Sequence, residues 1–331
     1  MHRKIVFHII SHLDVGGAER VAINIAESPT EGIAYHVVEL IRAHSDFTDV
    51  LIKELRDHNI TYHRGWIPEI HFHYLFERLA ALTFPLWFLW LFLKYKPQVL
   101  HSHTEMPDLS IYCFFRLFPW ALKRCKIVRT IHNTRLWTGM RRTGRRIEAF
   151  FIRQNANIAI SEAVKSNYQA HYHDSPPIIY NGVAPVEQRR YGQLKTGKIN
   201  VLFAGRFEEQ KGIDTLIEII KSQKDSAIYH FHVIGGGSLA SLLTAELAGF
   251  THVSIREPLF NLASFLASFD FLLMPSRHEG LSILALEANF NGLPAIINAC
   301  PGLHETLPND WPLRVEHNDL NTYLHLFNDV L

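Results

Sequence analysis

A chain of 331 residues, 47% of them apolar, has room for two domains of ordinary size, each with its own core. Three cysteines (Cys113, Cys125, Cys300), odd in number and without a CxxC pair, argue against a disulfide framework and for a reducing compartment. The net charge of +1 hides an asymmetry: residues 1–180 hold 22 Lys and Arg against 16 Asp and Glu, whereas residues 181–331 hold 11 against 16.

The apolar run at the N-terminus, Ile5–Ile10, is interrupted by His8 and ends at Ser11. It is too short for a signal h-region and reads as a first β-strand. It leads into Gly16 and Gly17, followed by a helical pattern. Two glycines there let a ligand approach the N–H groups of a helix N-terminus, and they also suit a plain tight turn. After a strand at Tyr35–Ile41 comes the most apolar stretch, Leu79–Leu93, with Pro85 inside. Its length falls short of a spanning helix and suits a buried core helix, while its three Phe and two Trp also fit a helix resting in a membrane interface. Strands follow at Val99–His103, Ile127–His132 and Asn157–Ile160. His132, closing its strand, is placed to serve as a hydrogen-bond donor or general base, or else to be a satisfied core histidine. Between Lys123 and Arg153 ten basic residues face one acid, Glu148. Such a run suits acidic lipid headgroups or phosphates, or is simply a solvated face.

A polar stretch without apolar periodicity, near Pro185–Lys198, marks the domain break: an N-terminal domain over 1–185, a linker over 186–198 and a C-terminal domain over 199–331. The stretch contains Gly192-x4-Gly197-Lys198, but Ile199 stands where a P-loop needs Ser or Thr, and a strand follows where it needs a helix. The strand Asn200–Ala204 then opens into Gly205-Arg206, with Lys211-Gly212 in the same turn. Two cations on one strand-to-helix turn can neutralise a diphosphate, Arg as a fork and Lys as a point charge. Tyr229–Ile234 runs into Gly235-Gly236-Gly237-Ser238, which lacks the later glycine of a dinucleotide fingerprint but still permits a close phosphate or sugar approach. Further strands are expected at Val253–Ile255, Phe269–Met274 and Ala295–Asn298.

The loop and helix after Met274 carry two carboxylates, Glu279 and Glu287. Strand, turn, then helix is where open α/β sheets place ligands, and carboxylates accept hydrogen bonds from sugar hydroxyls. A dipole partner and a solvated helix residue fit the same spacing. Among 21 histidines, four His-x-His pairs (His71/His73, His101/His103, His171/His173, His230/His232) share strand or segment faces, but no carboxylate or Cys partner recurs at ligand spacing, so no metal site is expected. GxSxG is absent, and nothing marks a covalent nucleophile.

These residues, in order, resemble the retaining, nucleotide-sugar-dependent glycosyltransferases of family 4, the "glycosyl transferases group 1" set. The match runs along Gly16-Gly17-Ala18-Glu19, His101-Ser102-His103, Thr130-Ile131-His132, Ile160-Ser161-Glu162, Ile179-Tyr180-Asn181-Gly182-Val183, Ala204-Gly205-Arg206-Phe207 with Lys211-Gly212, Pro275-Ser276 with Glu279-x7-Glu287, and Gly292-x-Pro294. The resemblance implies an α/β fold of GT-B type: two facing Rossmann-like domains with parallel sheets and an interdomain cleft, the first binding the acceptor and the second the nucleotide sugar.

It also implies roles. Arg206 and Lys211 hold the donor diphosphate. Glu279 contacts the donor sugar, with Gly280, Leu281 and Ser282 offering backbone N–H groups, and Glu287 binds the ribose. Gly16, Gly17 and Gly235 approach the phosphates, Arg256 and Glu257 lie near the base, and His132 lines the reaction centre. The implied donor is UDP- or GDP-linked, with no cofactor, no metal and no nucleic-acid partner, and the implied acceptor is a saccharide or a lipid-linked one. Only 44 residues follow Glu287, so the C-terminal helix that braces such domains is expected to be short or absent. The expected place is cytoplasmic, peripheral on the inner face of the cell membrane through the basic N-terminal domain. A nucleotide-sugar epimerase of the same fold, or a non-catalytic nucleotide-sugar-binding subunit, is the alternative.

Overall fold

The computed structural model describes residues 3–14, 16–28, 30–69, 73–224 and 226–331, the side chains of 73–75 excepted. The chain divides into two units, Met1–Ile160 with Val164–Ile179, and Ser161–Ala163 with Tyr180–Leu331.

In the first unit β1 (Lys4–Ile10), β2 (Ile33–Arg42), β3 (Thr61–Pro68), β4 (Val99–Ser102), β5 (Lys126–Ile131) and β6 (Asn157–Ala159) form one parallel sheet in the order β3-β2-β1-β4-β5-β6. The near-continuous apolar runs of β1 and β2 are those of strands covered on both faces. The covering helices are α1 (Gly17–Glu27), α2 (Asp46–Asp57), α3 (His73–Tyr95), α4 (Glu105–Leu117), α5 (Arg141–Arg153) and α6 (Glu162–Tyr172). Helix α3 packs on α4 and over β2 and β3, and its Phe84, Phe88, Leu91 and Phe92 fill the core with Phe7, Phe114 and Phe151. Its length and composition are those of a helix able to cross a bilayer, yet one whole face is built into this core.

The second unit repeats the plan. β7 (Ile199–Arg206), β8 (Tyr229–Gly236), β9 (Val253–Arg256), β10 (Phe271–Met274), β11 (Ala295–Asn298) and β12 (Arg314–Val315) pair in the order β12-β11-β10-β7-β8-β9, all parallel. One face is packed by α7 (Ile213–Ser222), α8 (Ala240–Glu246) and α10 (Leu320–His325), the other by α9 (Ile283–Phe290) with Tyr191 and Leu266. The last helical residues thus pack on α7 within this unit.

Two strands were not expected from the sequence. β3 is an edge strand with His, Arg and Gly in it and Pro at its end, and β12 has only two residues. The stretch 186–198, expected as a linker, lies along the second unit: Tyr191 is buried, and Gln188 Nε2 donates to the Ala263 carbonyl at 2.8 Å. The basic run is also not all surface. Arg129 is buried, ion-paired to Asp108 at 2.7 Å and to Glu148 at 2.6 Å, and Trp137 and Tyr168 also donate to Glu148.

Candidate functional site

In each unit the strand order reverses beside the first strand, between β7 and β10 in the second and between β1 and β4 in the first. The C-terminal ends of strands at such a reversal are where open parallel sheets receive ligands.

In the second unit Arg206 ends β7, and a 3-10 turn at Glu209–Lys211 carries the chain to Gly212. Gly212 has φ of +67°, and a Cβ there would lie 2.0 Å from the Pro275 carbonyl oxygen, so only glycine lets this turn lie against the loop after β10. The close approach brings Lys211 Nζ within 2.7 Å of Glu279 Oε1, both side chains largely buried. The loop bearing Glu279 is fixed from several directions. Gln210 Nε2 donates to the His278 carbonyl at 2.9 Å, Asn298 Nδ2 to that of Ser276 and Asn318 Nδ2 to that of Pro275, both at 2.8 Å. The Glu279 N–H donates to the Pro301 carbonyl at 3.0 Å.

Glu279 therefore sits in the loop, ahead of α9. Gly280, Leu281 and Ser282 are buried there, and Ser282 Oγ caps the helix by accepting from the Ala285 N–H. Glu287 is half-buried on α9. Arg206 remains exposed, reaching Gln210 at 3.5 Å. Gly205 and Gly235 are register partners on β7 and β8, and Glu208 accepts from the Ser238 N–H at 2.9 Å and its hydroxyl at 2.6 Å. Arg256 and Glu257 lie exposed at the end of β9, further along the same edge.

In the first unit Gly16 is the N-cap of α1, Gly17 its first residue, and His132 follows β5. The loop after β1 hangs on buried Glu39, whose carboxylate accepts from the N–H groups of Leu13 (3.0 Å) and Ala43 (2.8 Å) and from Arg64 Nε (2.6 Å). Register pairing of β1 with β4 and β4 with β5 brings four histidines together. His8 Nδ1 lies 2.9 Å from His103 Nε2, His103 Nδ1 lies 3.3 Å from His132 Nε2, and His101 Nε2 lies 2.7 Å from Thr130 Oγ1. Burial holds all four neutral: His101 is pushed down to about 4, His132 to about 3, and His8 and His103 well below the ordinary range. Beneath His132 a cavity of about 10 Å³, room for about one water, is lined by Asp108, Arg129 and Thr130.

The structure thus joins Lys211 and Glu279 directly and sets Arg206, Gly235 and Ser282 at the same sheet edge. Sequence reading overlooked Glu39, Glu208 and Asn318, which position loops and carry no motif of their own. It also overlooked His8, whose hydrogen-bond partner His103 lies 95 positions away in sequence. The ligand atoms of His8, His101 and His103 all lie within 4.8 Å of one another, a group of imidazoles without carboxylate or thiolate, and hydrogen bonds within the cluster and to Thr130 account for its arrangement. The other His-x-His pairs part company. His230 bonds Ser254 and His232 bonds Asn200, His171 and His173 are exposed, and His71 with the His73 side chain lies outside the described residues.

Two family models match the chain: "Glycosyltransferase Family 4" over residues 15–187 and "Glycosyl transferases group 1" over residues 198–325. An uncharacterized 41.2 kDa protein in the cps region of Klebsiella pneumoniae is 27% identical over 243 residues, 65% of this chain and 64% of that protein. An uncharacterized glycosyltransferase of Methanocaldococcus jannaschii is 30% identical over 152 residues, 45% of this chain and 41% of its own. The chain therefore spans less than two thirds of either relative's length. Among solved structures, HepE of Anabaena in complex with UDP and glucose superposes with a TM-score of 0.72 at 14% identity, over 99% of this chain and 90% of that one, a likeness of fold.

Proposed function

The chain belongs to glycosyltransferase family 4 and has the two parallel α/β sheets of the GT-B fold, and from this we propose that it moves a sugar from a nucleotide-sugar donor to an acceptor hydroxyl. The observation that carries the reading is the Lys211–Glu279 pair at the β7/β10 reversal, a cation and a carboxylate 2.7 Å apart on loops held by glycine and side-chain amides. One diphosphate-linked sugar satisfies both: the phosphates take Lys211 and Arg206, and the sugar hydroxyls donate to Glu279.

In this mechanism Arg206 and Lys211 stabilise charge on the departing β-phosphate, with backbone N–H groups ahead of α9 adding fixed donors. These cations supply the charge that a metal supplies elsewhere. The acceptor hydroxyl attacks the face the nucleotide leaves, through an oxocarbenium-like transition state: the C1–O bond to the β-phosphate breaks as the new C1–O bond forms, the hydroxyl proton passes to the departing phosphate oxygen, and the anomeric configuration is retained. Glu287 takes the ribose, and Arg256 and Glu257 flank the base. In the first unit Gly16 and Gly17 offer N–H groups and His132 an imidazole. UDP, the nucleotide bound in the HepE structure, is the first donor base to test, and GDP the second. We place the reaction in cell-surface glycan synthesis, on a saccharide or lipid-linked acceptor, at the cytoplasmic face of the membrane. The K. pneumoniae relative, in a cps region, and the basic first half of the chain support that placement.

The test is a calorimetric screen of UDP- and GDP-sugars, followed by slow nucleotide release with and without acceptor glycans. Lys211→Ala and Glu279→Ala are each expected to lower turnover at least 100-fold, about 3 kcal/mol of transition-state stabilisation, with the fold retained by circular dichroism. Wild-type-like turnover in either variant removes the assignment. Donor binding without turnover in the wild type points instead to a non-catalytic subunit.

A further inference from the structure

Helix α3 is apolar on both sides. Its inner face (Ala81, Phe84, Phe88, Leu91) is buried, yet its outer face carries Leu79, Leu82, Leu86, Trp90 and Leu93, a stripe at helical spacing about 20 Å long. Leu82, Leu86 and Trp90 are each 61–62% exposed, and Trp66 of β3, 60% exposed, shares a groove of about 460 Å³ with Leu86 and Trp90. Single exposed apolar residues need no explanation, but a contiguous stripe of large ones marks an interaction surface.

The surroundings of the stripe choose the partner. Lys94 lies over the Trp90 ring at 4.6 Å, and Arg124 over Trp120 at 5.3 Å, with Trp120 against Phe92 of α3. Lys94, Lys96, Arg116, Lys123, Arg124 and Lys126 are all exposed at this end of the α3–α4 layer, and the exposed arginines of α5 continue beyond α4. From Leu79 to Arg153 the acids are Glu105, Asp108 and Glu148, and none is exposed. A second copy of this chain would set cations against cations, and a nucleic acid would leave the apolar stripe in water. An anionic bilayer surface satisfies both halves, with tryptophans and leucines at headgroup depth and lysines and arginines at lipid phosphates.

We propose that the outer face of α3, with Trp66 and Trp120, is a membrane-docking surface for anionic lipid, lying in the interface and not crossing it. This rests on the reading of the chain as a transferase working at the membrane, and names the face that meets it.

The test is flotation of the full chain with vesicles of phosphatidylcholine alone or with about a third phosphatidylglycerol, at about 0.1 M and about 0.5 M salt. Binding to the anionic vesicles is expected, weakened by salt. Leu86→Gln with Trp90→Gln is expected to lower it at least about tenfold, and Lys123→Gln with Arg124→Gln by about 30-fold. UDP- and GDP-sugar binding, measured on the same samples, is expected to be unchanged in both variants. Absence of vesicle binding, full binding by the Leu86/Trp90 variant, or a Trp90-dependent dimer in sedimentation overturns the docking surface. Vesicle binding without any nucleotide-sugar binding overturns the transferase reading and leaves the docking surface standing.

Discussion

At the scale of single residues, the imidazole chain His8–His103–His132 decides which ring nitrogen of His132 carries its proton. All three members are neutral, so each carries one N–H, and each of the two shared contacts has room for one proton. The protons therefore sit on Nδ1 of all three rings or on Nε2 of all three. The Nε2 of His8 is buried with no hydrogen-bond partner among the described residues. An orphaned N–H costs more than an unused lone pair, so the Nδ1–H arrangement is favoured. His132 then carries its proton on Nδ1 and accepts from His103 at Nε2, and under the proposed function this makes it a hydrogen-bond donor and not a general base. Nitrogen-15 NMR of the histidine rings is expected to show Nδ1–H for His132 at pH 7. His103→Phe is expected to release it towards the other tautomer. An Nε2–H signal for His132 in the wild type contradicts the chain.

At the scale of elements, two backbone approaches hold the loops around Glu279, at Gly212 and Gly302, and glycine makes both possible. Gly302 has φ of +78°, and a Cβ there would come within 2.3 Å of the Glu279 carbonyl oxygen. Gly302→Ala is expected to displace Glu279, destabilise the second unit by about 1–3 kcal/mol and cut turnover, while leaving the first unit's melting unchanged. Denaturation followed by hydrogen exchange in each unit checks this. Removing the α9 cap is a milder change: Ser282→Ala is expected to cost about 1 kcal/mol, read from the same curves. Ten of the strands were legible because buried parallel strands are short apolar runs bounded by Gly, Pro and Asn, as at Ile5–Ile10 and Ala295–Asn298. β3 was not, because an edge strand need not be apolar, and β12 was too short to carry a pattern. Arg206, Lys211 and Glu279 were legible as chemistry on strand-to-helix turns. Glu39, Asn318 and His8 were not, because their meaning lies in contacts that only the register of a parallel sheet creates.

At the scale of the whole chain, the two units answer acid differently. In the first unit His36, His63 and His101 are pushed down to about 4 and His132 to about 3, and His8 and His103 are also lowered, in each case chiefly by burial. In the second unit His230 and His232 are lowered to about 4. An unfolded chain binds a proton at each such histidine near pH 6.5, and the folded chain does not. Stability from these groups is therefore full above about pH 6.5, falls as pH drops towards about 4, and levels off only where the folded histidines themselves protonate. Each fully enclosed imidazole costs up to about 1.4 kcal/mol per pH unit across that window. Burial also raises the carboxyls of Asp108, to about 7, and of Glu105 and Glu27, which work in the opposite sense in the same window, so six such histidines against two give the first unit the steeper slope only by what these three leave over. Hydrogen exchange at about pH 5 is expected to show β1, β4 and β5 losing protection while β7 and β10 retain it. Donor binding to the second unit, measured at the same pH, is then expected to outlast transfer. Loss of protection in both units at one pH removes the histidines of the first sheet as the cause.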